Sequence, residues 1–169
     1  MQVALPSGSG IVLRCTSAKY PDMEADLLSN AEQVRLLASK QLGHELDYGD
    51  QAVIWLDHYI EQQRESASSV QLAVLPDALG SFFGECLRRR FGGIWFDDEL
   101  YSWSIQINPT VTVHPFAKVE KQLARAGADT VLKFYTSLPE LLDKLAQLDK
   151  LPQVKPWWKF WQRSETRDL

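Results

Sequence analysis

The sequence is poor in the residues that most often announce a chemistry. Its 169 residues hold two cysteines, Cys15 and Cys86, and three histidines, His44, His58 and His114. The cysteines form no CxxC pair and lie far apart, which excludes a disulfide framework or a structural zinc site as the organising element. The histidines share no metal-ligand spacing, so neither a metal nor a cofactor is expected. Ser7-Gly8-Ser9-Gly10 is glycine-rich but lacks the Gly-Lys-Ser/Thr ending of a phosphate loop and precedes no helix. The opening residues carry no apolar run of the secretory kind, and no stretch is expected to reach bilayer-spanning length. Arg14 directly before Cys15 counts against a lipid-modified cysteine. A reducing cytoplasm is the expectation. Positive charge is also lacking: a net charge of −4 argues against non-specific binding to a polyanion, and no nucleic-acid partner is expected.

What is present is periodic. After a short apolar run from Ile11 to Cys15, Met23, Leu27, Ala31, Val34, Leu37 and Ala38 recur every three or four residues, the spacing of an amphipathic helix, with Gly43 as its C-cap. A second helix is expected from about Asp47–Asp50, burying Ala52, Trp55, Leu56, Tyr59 and Ile60 and turning Asp57, His58, Glu61 and Gln62 outward. A third is expected after Leu75-Pro76-Asp77, with proline in its first turn. Gly92-Gly93 ends it, and the period drops to two. Tyr101, Trp103, Ile105 and Ile107 alternate with polar residues, and Gly93–Phe96 and Val111–His114 complete a three-strand meander. Helical spacing returns at Phe116, Val119, Leu123 and Ala126. Asp129 is placed to cap a short helix through Tyr135, and Ser137-Leu138-Pro139-Glu140 has the form of a capping box opening another. The fold class is therefore α+β: N-terminal helices, a small antiparallel meander, C-terminal helices and a tail. One domain spans 1–150, and 151–169 form a Pro/Trp-rich basic tail.

The segment Gly80-Ser81-Phe82-Phe83-Gly84-Glu85 is the most unusual helical stretch. Two glycines one turn apart cost about 1 kcal/mol each relative to alanine, so a close approach by another backbone is expected there. Glu85 lies one turn before Arg88 and Arg89. Its plain reading is an ion pair bracing a tight helix contact, and its functional reading is a general base or ligand-binding carboxylate. Cys86 falls on the apolar face with Leu79, Phe82, Phe83 and Leu87 and reads as a core residue. Lys118, Lys121 and Arg125 form a basic stripe that would be either a solvated face or, together with the run Arg88-Arg89-Arg90, an anion-binding rim. No residue qualifies as catalytic.

The tail gathers three of the six tryptophans, Trp157, Trp158 and Trp161, around Phe160 and among cations. Such a cluster requires a cover, whether its own domain, a partner or a membrane surface. Read in order, Trp55-Leu56-Asp57-His58-Tyr59-Ile60, Gly80-Ser81-Phe82-Phe83-Gly84-Glu85, Gly92-Gly93-Ile94-Trp95, Pro115-Phe116-Ala117-Lys118-Val119-Glu120-Lys121-Gln122 and Phe134-Tyr135 resemble a recurring pattern in a group of small bacterial proteins of unassigned function. The resemblance covers roughly 50–137. It implies a bacterial cytosolic domain and supplies no catalytic residue. The leading expectation is a non-enzymatic protein that binds a protein partner, such as an immunity-type protein neutralising a toxin, with the acidic stretch Asp22–Glu65 facing a basic partner. Binding residues are expected at Trp157, Trp158, Phe160, Trp161, Glu85, Arg88 and Arg89. The alternatives are an enzyme acting on a small anion through Glu85 and neighbouring cations, and a peripheral membrane protein attached by the tail.

Overall fold

The computed structural model describes residues 23–149, apart from 99, 101, 126 and 128. The run Ile11–Cys15 and the tryptophan tail lie outside the described residues. Among the described residues five helices and three strands follow in the order α1 (Met23–Leu42), α2 (Asp50–Ser66), α3 (Ser69–Phe91), β1 (Ile94–Asp98), β2 (Ser102–Asn108), β3 (Val111–Val113), α4 (Pro115–Ala124) and α5 (Val131–Asp149). The α+β class and the meander stand as the periodicities require. Two compact units divide the chain between Ser137 and Leu138.

In the first unit α1 buries Leu27, Ala31, Val34, Leu37 and Ala38 and packs along α3. Gly43 ends α1 at φ +74°, donating its N–H to Ser39 O at 3.0 Å, a left-handed cap that L side chains adopt at a cost. α3 is the centre. Its stretch from Leu75 to Leu87 is buried on nearly every side except Asp77, the signature of a helix with neighbours all round. It meets α1, α2, α4 and the sheet. By length and composition α3 could span a membrane, contrary to the expectation from sequence, but 67% of that apolar window is buried within the fold.

α3 also begins earlier than the proline suggests. Ser68 and Gln71 form a reciprocal capping box, so the helix starts at Ser69 and Pro76 sits in its interior. Proline there removes one intrahelical hydrogen bond, and the long buried face compensates. The short Ser-rich connection hides this start, because Ser68 and Gln71 precede a stretch with no strong period.

The sheet is a β1-β2-β3 antiparallel meander, with Trp95 opposite Ile105 and Ile105 opposite Val113. A bulge between Gln106 and Asn108 shifts the β2–β3 register. Phe82 and Phe83 of α3 are both fully buried but look different ways. Phe82 meets Tyr48 and Trp55, whereas Phe83 meets Phe134.

Where two helices are expected near the end, one runs. Thr130 caps α5, its O accepting from Phe134 N at 3.0 Å and its Oγ1 from Lys133 N at 3.2 Å. Ser137 opens no new helix, because its hydroxyl donates back to Phe134 O at 3.1 Å, and Pro139 is accommodated inside α5. From Leu138 the second unit carries a Glu140–Lys144 pair at 2.7 Å. Within it Leu141 is 45% and Leu148 58% exposed, while Leu142 and Leu145 are half-buried.

Candidate binding site at the end of the central helix

The two helical glycines shape the site. A Cβ on Gly80 would collide with the Phe116 ring, and one on Gly84 with the Trp95 ring and Pro115. The close approach expected from sequence is thus made by aromatic side chains rather than by a second backbone. With the Trp95 ring seated on Gly84, its indole Nε1 donates to Glu85 Oε1 at 3.0 Å. Arg88 adds a two-pronged bond, Nε to Oε1 at 2.7 Å and Nη2 to Oε2 at 3.0 Å, and Arg89 Nε donates to Oε2 at 3.2 Å.

Glu85 has no solvent exposure. Burial by itself would push its carboxyl up; the bonds from Arg88, Trp95 and Arg89 outweigh that and hold it below the ordinary glutamate range. Each oxygen accepts two donors, which fills its acceptor capacity. Glu85 is therefore an ionised anchor, built from one helix turn and one strand.

Arg89 links this anchor to a second network. Its guanidinium carbon lies over the Tyr48 ring, 3.9 Å from the centroid, a cation–π contact. The Tyr48 hydroxyl donates to Glu32 Oε2 at 3.0 Å. Arg35 grips the same carboxylate through Nε at 2.8 Å and Nη2 at 2.7 Å, and its Nη1 donates to Leu46 O at 2.7 Å. The Arg35 bond holds Glu32 below its ordinary range, while burial and the Glu32 bond push the Tyr48 phenol up. Beside these groups lies an open cleft of about 560 Å3, lined by Glu32, Arg35, His44, Glu45, Leu46, Asp47, Tyr48, Gln51 and Arg89.

The structure thus brings together Glu85, Arg88 and Arg89 of the expected binding residues. Trp157, Trp158, Phe160 and Trp161 lie outside the described residues. Sequence reasoning missed Tyr48, Glu32 and Arg35. The Glu32–Arg35 spacing of three on a helix is a readable signal, but Tyr48 sits in a connection with no period to betray it.

The remaining candidates have other partners. Lys118 and Lys121 do not form an anion rim; both clamp Asp129, at 2.6 and 2.5 Å, and the pair holds that carboxyl down at about 2. Asp129 accordingly serves α4 rather than capping α5. Asp57 and Glu61, expected outward, are half-buried. Gln122 donates to both, its own oxygen accepts from Val131 N, and Asp57 accepts from Leu132 N, so this group ties α2, α4 and the start of α5. Cys86 is fully buried, and burial pushes its thiol up, away from the reactive thiolate. His58 is exposed, and His114 Nδ1 meets Ser104 Oγ at 2.8 Å. Among the described residues no group of His, Cys, Asp or Glu side chains could hold a metal ion. Comparison with known families, characterised proteins and solved structures returns no match for this chain.

Proposed function

We propose that this chain is a non-catalytic binding protein of the bacterial cytoplasm whose acidic half receives a basic protein partner, in the manner of an immunity protein neutralising a toxin. The observation that carries the reading is the asymmetry of its surface charge. Across α1, α2 and their connection, Glu24, Glu45, Asp47, Asp50 and Glu65 are exposed. The cations Arg35 and Arg64 of the same half are engaged with Glu32 and Glu61 at 2.7 and 2.8 Å. Asp50 is itself paired with Arg90 and accepts from the Tyr135 hydroxyl, so Glu24, Glu45, Asp47 and Glu65 present most of the outward negative charge, which attracts a basic partner and speeds encounter. The saturation of Glu85 supports the same reading, because a proton-transferring carboxylate needs an oxygen free for substrate.

Binding kinetics against basic proteins encoded by neighbouring genes would test it. The expected result is a complex whose association rate falls with added salt and falls again when Glu24, Glu45 and Asp47 are replaced by lysine. A partner indifferent to those replacements, or turnover of a small anion that Glu85→Gln abolishes in a folded protein, would overturn it. Co-sedimentation with anionic vesicles, lost on removing 152–169, would favour the membrane reading of the tail instead.

A further inference from the structure

The cleft beside Arg89 carries an inference that is independent of the partner. Arg89 has five N–H donors in a planar fork, and among the described residues only its Nε is bonded, to Glu85 Oε2. Its guanidinium is nevertheless held in place by that bond and by the Tyr48 ring, whose centroid lies 3.9 Å from its central carbon. Its side chain is 51% exposed, and among the described residues none bonds Nη1 or Nη2. Arg35, the other guanidinium of the cleft, has all three nitrogens spent on Glu32 and Leu46 O. A pre-oriented, uncommitted fork of this kind matches one chemical group best, a carboxylate accepting two parallel bonds.

The rim narrows the choice. Glu45 is 89% exposed, and its nearest cation, Arg35 Nη1, is 3.6 Å away. Asp47 is exposed, with Oδ1 accepting from Gly49 N at 2.8 Å. Two carboxylates at the rim repel a ligand that is only anionic, a phosphate dianion most of all, and offer acceptors to an ammonium. The volume of about 560 Å3 lies in the range of small-molecule sites. We propose that this cleft binds a zwitterion, an α-carboxylate seated on the Nη edge of Arg89 with an ammonium received by Glu45 and Asp47. Free amino acids and the two ends of a short peptide share that chemistry.

Nitrogen-15 NMR titration of the full chain tests this, using alanine, dialanine, N-acetyl-dialanine, dialanine amide and inorganic phosphate as probes. Saturable shifts at residues 44–51 and at the Arg89 side chain are expected with alanine, dialanine or both, which also tells the free amino acid from the peptide. Each blocked form should bind about ten-fold more weakly, the loss of one charge-assisted pair. Arg89→Lys keeps the charge and loses the fork, so binding should drop while the fold persists. Exposed Glu45→Gln with Asp47→Asn should bring the N-acetyl form level with the zwitterion. No saturable shift with any probe, amide binding equal to the zwitterion, preferential phosphate binding, or an Arg89→Lys protein binding as the wild type would each overturn the proposal.

Discussion

Glu32 and Glu85 are two glutamates in one chain of contacts, and they differ in what surrounds them. Both are gripped by an arginine three residues on, at 2.7 Å, and both are held below the ordinary carboxylate range. Glu85 sits at zero exposure under Trp95, whereas the Glu32 side chain is 46% exposed at the edge of a cleft. The same ion pair is thus used once as an internal brace and once as part of an accessible wall, with Arg89 and Tyr48 joining the two. The lesson is that spacing announces a pair but not its role. What decides the role is whether neighbouring elements seal it.

Breaking the brace should cost most. Glu85→Ala leaves Arg88, Arg89 and the Trp95 indole without their acceptor, and denaturant melts should show a loss of about 3 kcal/mol. Glu32→Ala, facing water, should cost about 1 kcal/mol or less. Equal losses would erase the distinction between the two sites. Next in size is Gly84→Ala, which pushes the Trp95 ring off α3. A loss of about 1–3 kcal/mol is expected, with a red-shifted Trp95 emission as the indole leaves Glu85. Unchanged stability and emission would mean that the ring does not depend on the glycine. Smaller still is Ser68→Ala, which removes the capping box that starts α3 and should cost about 1 kcal/mol in the same melts. No effect would place the helix start at Pro76, where the sequence pattern first suggests it.

Acid should sharpen the contrast further. Glu85 and Glu32 have depressed folded pKa values, so their stabilisation is complete above the ordinary glutamate range and is lost as pH falls below it. The Asp129 clamp behaves alike, losing its contribution between about 4 and about 2. Acid melts of Asp129→Asn should therefore converge with the parent below that window, and divergence there would contradict the clamp.

Much of the fold was legible because helical and strand periods are local. The α1 stripe ending at Gly43, the alternation through Trp103 and Ile105, and the stop at Gly92-Gly93 all follow from side-chain spacing. The errors in the helix limits fall at two prolines. Pro76 and Pro139 read as helix starts or breaks, yet each is carried inside a helix, which spacing cannot reveal. The site was half legible. Glu85 with Arg88 and Arg89 is a spacing argument within one helix. Tyr48 reaches Arg89 only because the connection before α2 folds over the end of α3, and Trp95 reaches Glu85 only because Gly84 leaves room. Both depend on contacts between elements, which no single-element pattern contains.

Carbon-13 NMR titration of the glutamate carboxyls tests the central claim, that Glu85 is an ionised structural brace. In the folded protein Glu85 should stay ionised as pH falls, protonating only below the ordinary glutamate value of 4.5 and together with the onset of unfolding. A Glu85 carboxyl that titrates above that value, in a protein still folded, would be the acid–base group of a catalytic site and would contradict the account.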